Sequence, residues 1–199
     1  EIYDGDEVYI STNATASFKV SKIKASLDID VKDVYAGEDA AITIILPDDA
    51  TGGLHINAGG STRYMSDFKG GKYVIEGAYG QAGNVTVQVT YDGNDKYLSA
   101  NASKTFVVKA VPVEMEIVAD PVYVGQTATV TVTLPEDAVG SVVVSYPGGY
   151  RGSNINDGKF SFTTNFAAAV NYTLSVSFKS TGKYESITDT AVLVVKEKS

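Results

Sequence analysis

The chain has 199 residues, a mass of 21.0 kDa, no cysteine, no tryptophan and one histidine. That inventory excludes disulfides, thiol nucleophiles, iron–sulfur clusters and multi-histidine metal sites. The net charge of −8 offers no basic surface to nucleic acid or anionic lipid, and no apolar run approaches the roughly 18 residues of a membrane helix.

Taken in chain order, the sequence opens on a fragment. Residues 3–21 share nine of nineteen identities with residues 91–109, from Tyr3-Asp4-Gly5 against Tyr91-Asp92-Gly93 to Phe18 and Val20 against Phe106 and Val108. Residue 1 is therefore expected to fall inside a repeat of a longer array. The stretch 13–21 is predicted to hold a β-strand. The apolar phase of Phe18 and Val20 needs a core and the backbone needs a partner, either the first unit or a neighbouring copy.

From residue 22 onward the chain repeats itself. A shift of 88 residues carries Ile29, Val34, Tyr35, Gly37, Leu46, Pro47, Asp49 and Gly52 onto Ile117, Val122, Tyr123, Gly125, Leu134, Pro135, Asp137 and Gly140. After one deletion the shift is 87, and Gly71-Lys72-Tyr73 meets Gly158-Lys159-Phe160. The units expected are a partial repeat at 1–21 and two full ones at 22–110 and 111–199.

Within the first unit, residues 23–32 alternate strictly between apolar and polar, the signature of a half-buried strand. Further strands are predicted at 38–46, 53–57, 72–76, 84–91 and 103–109, with a short edge strand at 63–68. The second unit repeats them at 113–118, 126–134, 141–146, 159–163, 171–178 and 190–196. Phe166–Val170 allows one helical turn at most. Gly, Asp, Asn and Pro clusters punctuate the strands at 8–12-residue spacing, which predicts two tandem antiparallel β-sandwiches. Parity places Leu27, Ile29, Ile42, Ile44, Leu46, Leu54, Ile56, Val85, Val87, Val89, Tyr91, Phe106 and Val108 inside the first. It places Ile117, Val130, Val132, Leu134, Phe160, Phe162, Tyr172, Leu174, Val176, Phe178, Leu193 and Val195 inside the second. The join at Lys109–Pro112 has no flexible spacer and predicts an end-to-end arrangement.

Leu-Pro-Asp-Asp-Ala-Thr-Gly (46–52), Gly-Gly-Lys-Tyr (70–73), Val-Thr-Tyr-Asp-Gly-Asn-Asp-Lys-Tyr (89–97) and Thr-Phe-Val-Val (105–108) carry a resemblance. Together they resemble the bacterial immunoglobulin-like (Big) tandem repeats of prokaryotic cell-surface adhesin-like proteins, especially those of methanogenic archaea. The resemblance implies an immunoglobulin-like fold and an extracellular stalk or adhesin segment with no catalytic residues and no cofactor. Its partners would be neighbouring repeats or copies, surface glycans, or a protein of another cell. The second unit departs from the pattern at Phe178–Tyr184, where the acidic loop is lost.

Several residues are candidates for chemistry. Asn13, Asn84, Asn101 and Asn171 head N-x-Ser/Thr sequons and would carry glycans in a secreted glycoprotein. Asp92, Asn94 and Asp95 form a weak oxygen cluster; calcium needs six to eight ligands, and solvated turn residues are the competing reading, so no metal is expected. His55 is predicted to point outward. Arg63 and Arg151 follow Gly-Gly pairs and are expected to form structural ion pairs, with ligand binding as the alternative. Tyr64, Tyr146 and Tyr150 have no counterpart in the other unit and mark a possible sugar- or protein-binding patch. Lys24, Lys32, Lys72, Lys104 and Lys109 fall on the polar phase, against a lysine–asparagine isopeptide crosslink. Three functions follow: a structural or adhesive stalk, a filament subunit assembled by strand donation, and a carbohydrate- or calcium-binding accessory module.

Overall fold

The computed structural model describes residues 1–198, which contain strands and turns and no helix. The first two strands, β1 (Ile2–Tyr3) and β2 (Thr12–Asn13), pair only with each other. The first unit follows with β3 (Asp28–Asp30), β4 (Val34–Tyr35), β5 (Asp39–Ile45), β6 (Thr51–Ala58), β7 (Ser61–Lys69), β8 (Lys72–Ala78), β9 (Gly83–Tyr91) and β10 (Ala100–Lys109). The second is built from β11 (Glu116–Ala119), β12 (Val122–Tyr123), β13 (Thr127–Thr133), β14 (Gly140–Tyr146), β15 (Gly149–Ile155), β16 (Lys159–Asn165), β17 (Asn171–Ser180) and β18 (Ile187–Lys196).

Each unit is a sandwich of a three-stranded and a five-stranded sheet. The first has β3-β5-β8 facing β4-β10-β9-β6-β7, and the second has β11-β13-β16 facing β12-β18-β17-β14-β15. The predicted first strand, 23–32, is broken because the chain changes sheets. Asp28–Asp30 pairs antiparallel with β5, then Val34–Tyr35 pairs parallel with β10. Asp33 holds the crossing by accepting a 2.8 Å hydrogen bond from the Val107 amide. A first strand shared between two sheets, its second part parallel to the last strand, makes the fold immunoglobulin-like.

Two separate cores result. Ile29, Ile42, Ile44, Leu54, Val87, Val89, Tyr91, Phe106 and Val108 are fully buried in the first, and Val130, Val132, Leu174, Val176, Phe178 and Leu193 in the second. Leu27, Val85, Ile117, Phe160, Phe162 and Tyr172, expected inside, are only half-buried at the core margins. Phe166 makes no helical turn; it is buried against Tyr172, ring centroids 4.2 Å apart. Lys104 is a further correction. It sits opposite Val87 on the inward phase, but at the sheet margin it turns out to water and meets Asp30 at 3.8 Å.

The one-residue difference between the repeats has a structural cause. In the first unit the pairing slips from Gly52↔Phe68 to Leu54↔Met65, a β-bulge in β7 opposite Gly53. In the second unit Gly140↔Ile155, Ser141↔Asn154 and Val142↔Ser153 run without interruption. The residue the second unit lacks is the bulge.

Ala110 alone lies between β10 and Val111, whose amide already bonds to Lys183 O of the second unit at 2.8 Å.

Candidate functional site

The two stretches that carried the family resemblance meet in space. Asp49, in the turn before β6, lies under the loop between β9 and β10, where Tyr97 donates to its Oδ1 at 2.7 Å and Lys96 forms an ion pair with it. The Lys96 ammonium also lies 5.0 Å from the centre of the Tyr97 ring. The second unit repeats all three contacts with Asp137, Tyr184 and Lys183. The hydrogen bond from Lys96 holds the Asp49 carboxyl below its ordinary pKa, and Asp49 holds Lys96 above its own. Lys183 and Asp137 act on each other in the same sense. This is a structural stitch.

The acidic loop is also occupied by structure. Asn94 Oδ1 accepts from the amides of Lys96 and Tyr97 at 2.9 and 2.7 Å, and its Nδ2 donates to Thr51 Oγ1 at 3.1 Å. Asp92 faces His55, and Asp95 is exposed. Among the described residues no three His, Asp or Glu side chains gather as metal ligands would.

The front fragment folds as a lone copy of this hairpin. Asp6 Oδ1 accepts from the amides of Val8 and Tyr9 at 2.9 and 2.8 Å, as Asn94 does from Lys96 and Tyr97. Gly5 and Gly93 share φ of 83° and 84°. No sandwich surrounds it among the described residues. Tyr9 is 67 % exposed where Tyr97 is 6 %, and Phe18 is 88 % exposed where Phe106 is 2 %. The predicted strand over 13–21 forms only at Thr12–Asn13, because Phe18 and Val20 do not reach the first unit and stand in water.

The sequon asparagines are all exposed. Asn84 and Thr86 lie on the outer face of the five-stranded sheet, and Asn171 and Thr173 occupy the same place in the second unit. Asn13 and Asn101 lie within their strands, Asn101 accepting from the Thr90 hydroxyl at 2.7 Å. Neither arginine forms the expected ion pair. Arg63 donates instead to the neutral Tyr73 hydroxyl at 2.8 Å, bridging the two sheets, and Arg151 donates to its neighbour's carbonyl.

The three unmatched tyrosines are not brought together. Tyr146 turns inward and packs on Phe162 and Phe166, with centroids 6.0 and 5.8 Å away. Tyr150 is exposed on β15, in the other unit from Tyr64. Tyr64 does have company. On the outer face of the first unit the register aligns Tyr64, His55, Thr90 and Asn101 in one row across four strands. Thr62, Asn57, Gln88 and Ser103 form the next row. The imidazole and the Tyr64 ring lie against each other, tilted by 31° with centroids 4.3 Å apart, and His55 Nε2 lies 3.4 Å from Asp92 Oδ1. A shallow depression of about 510 Å³ lies over His55, Asn57, Tyr64, Gln88 and Thr90. β6, β7 and the residue just past β9 supply the ring pair and its carboxylate, so no local motif announced the cluster.

No protein-family model matches the chain, and no curated protein sequence matches it. Solved structures with a similar backbone include the fibronectin(III)-like modules of Clostridium thermocellum CbhA, at 15 % identity and TM-score 0.33, over 87 % of this chain and 94 % of that one. The Yersinia pseudotuberculosis adhesin InvE is similar at 13 % identity and TM-score 0.47, over 86 % of this chain and 58 % of its own. A bacterial ice-binding adhesin is similar at 15 % identity and TM-score 0.40, over 89 % and 67 %.

Proposed function

We propose that the chain is a non-enzymatic, load-bearing stalk segment of an extracellular, cell-surface adhesin-like protein, by the sequence resemblance archaeal. The observation that carries this reading is the parallel pairing of the first and last strands in both units. In the first, Ile23 exchanges backbone bonds with Lys96 and Leu98 at 2.9 Å, and the Ala36 amide donates to Lys109 O at 2.8 Å. In the second, Val111 bonds Lys183 and Glu185, and the Val124 amide donates to Lys196 O at 2.9 Å. Tension on the two ends of a unit pulls these parallel strands in opposite directions. The bonds between them are then loaded together in shear rather than opened one at a time.

Force spectroscopy on the full chain tests it. Handles at the two termini should give two unfolding events, each releasing about 30 nm at ~3.5 Å per residue. The force should exceed that needed when a handle on Lys159 peels β16 outward. A weaker terminal geometry would sink the mechanical reading. Surface labelling of source cells with an antibody to the segment tests the location.

The exposed Phe18 and Val20 favour a second reading, a filament subunit joined to another copy by strand donation. It requires concentration-dependent association that disappears when residues 1–22 are removed.

A further inference from the structure

We propose that the outer face of the first unit, at Tyr64, His55, Thr90 and Asp92, binds a neutral saccharide. A stalk needs no ligand, so this goes beyond the function proposed above, and either can fail alone.

The chemistry of the face selects the ligand class. Tyr64 is 56 % exposed and braced from behind by the imidazole at 4.3 Å, which presents a fixed ring to the C–H face of a sugar. The Asp92 carboxylate beside it can accept from two adjacent hydroxyls. Thr90, Asn57, Gln88 and Thr62 add amides and hydroxyls in register. Neither row contains Lys or Arg; Arg63 also lines the depression, but its guanidinium donates to the Tyr73 hydroxyl toward the other sheet, so the two rows offer an anionic ligand no cation of their own. The depression is open and its lining mixes polar groups with the apolar faces of the rings, which suits a chain lying across the strands, with both hydroxyls and C–H faces, rather than an enclosed apolar molecule.

The local structure is shaped around this cluster. A side chain at Gly53 would place its Cβ 2.0 Å from Asp92 Oδ2 and 3.1 Å from the Tyr64 hydroxyl. Gly53 therefore makes room for the carboxylate and the phenol. The bulge that distinguishes the two repeats lies opposite Gly53, just beyond Tyr64. The second unit holds Ser141, Val143, Gly152, Ser177 and Lys179 where the first has Gly53, His55, Tyr64, Thr90 and Asp92. The same fold thus carries a blank version of the face, with the charge reversed.

His55 is the only histidine in the chain, so its ring gives one imidazole signal by NMR and reports on this face alone. Unglycosylated full chain is titrated with hexasaccharides of β-glucose, β-galactose, α-mannose and β-N-acetylglucosamine. At least one should move the signal saturably, with a Kd on the order of 1 mM or tighter. Tyr64→Ala and Asp92→Asn should each weaken binding about tenfold, and Tyr150→Ala in the second unit should change nothing. The amide spectrum of each variant confirms its fold. No movement with any of the four up to about 10 mM overturns the proposal. So does undiminished binding by both Tyr64→Ala and Asp92→Asn, and so does a face that answers only to a protein.

Discussion

Tyr97 donates to Asp49 across 48 residues of chain at 2.7 Å, and Tyr184 donates to Asp137 across 47 at 2.6 Å. The second unit has lost a residue between the partners and kept the bond. The missing residue lies in the β7 bulge, away from the turn and loop that the bond joins. This contact gives the two sequence motifs their physical meaning: one supplies the carboxylate, the other the phenol and ammonium that close on it.

Tyr97→Phe should therefore lower the melting midpoint of the first unit and leave the second unchanged, and Tyr184→Phe should do the reverse. Both rings keep their packing, so the shift should be small, as expected for one lost hydrogen bond at a surface. Calorimetry resolving the two transitions checks it; equal effects on both units would refute unit-specific stitching.

The same pairs set a pH window. Asp49 and Asp137 have lowered pKa values in the folded chain, so their contribution is present above the ordinary aspartate range near ~3.9 and lost as pH falls through the lowered values. Lys96 and Lys183 have raised values, so theirs is present below the ordinary lysine range near ~10.4 and lost as pH rises through the raised values. Melting temperature should be flat between these limits and fall on either side. Asp49→Asn with Asp137→Asn should flatten the acid limb, and added salt should shrink the effect because the pairs are exposed. An acid limb unchanged in the double variant would contradict this.

Equivalent residues should give opposite results. Phe106→Ala removes a ring from the first core and should cost about 3–5 kcal/mol, while Phe18→Ala, its counterpart in the front hairpin, should stay within about 0.5 kcal/mol. Denaturant unfolding measures both. A large loss at Phe18 at low protein concentration would mean that the hairpin docks on its own chain.

Secretion in a glycosylating host should load Asn84 and Asn171, whose sequons stand exposed at matching places on the outer faces. Peptide mass mapping decides it; unmodified peptides at both sites would refute the expectation.

Alternation between apolar and polar residues was enough to read β5, β9, β13 and β17, because each has one wet and one dry face. At 23–32 the alternation held for burial, with Ala25, Leu27, Ile29 and Val31 on the inner side, but not for pairing: only Asp28–Asp30 joins β5 before the chain leaves one sheet for the other. β15 was missed, since Gly149-Tyr-Arg-Gly-Ser-Asn-Ile155 buries only Ile155. Lys104 was assigned to the polar phase although Phe106 and Val108 put it on the inward one; its side chain still reaches water because a long chain at a sheet margin escapes whatever its phase. The cluster of His55, Tyr64 and Asp92 was beyond reach for a different reason: its members meet only through strand register, and one of them stands beside a bulge that shifts that register.

The lone front hairpin bears on how such an array assembles. Its register, Ile2↔Asn13 and Tyr3↔Thr12, equals that of Thr90↔Asn101 and Tyr91↔Ala100, yet it forms with no sandwich around it. The same turn contacts, at Asp6 and at Asn94, thus accompany the same local pairing in both settings. Neighbouring units of related sequence and the same fold invite strand exchange while they fold. A closing hairpin that fixes its own partner over a dozen residues reaches the sandwich already matched, and gives the strand of the next unit no vacancy to fill.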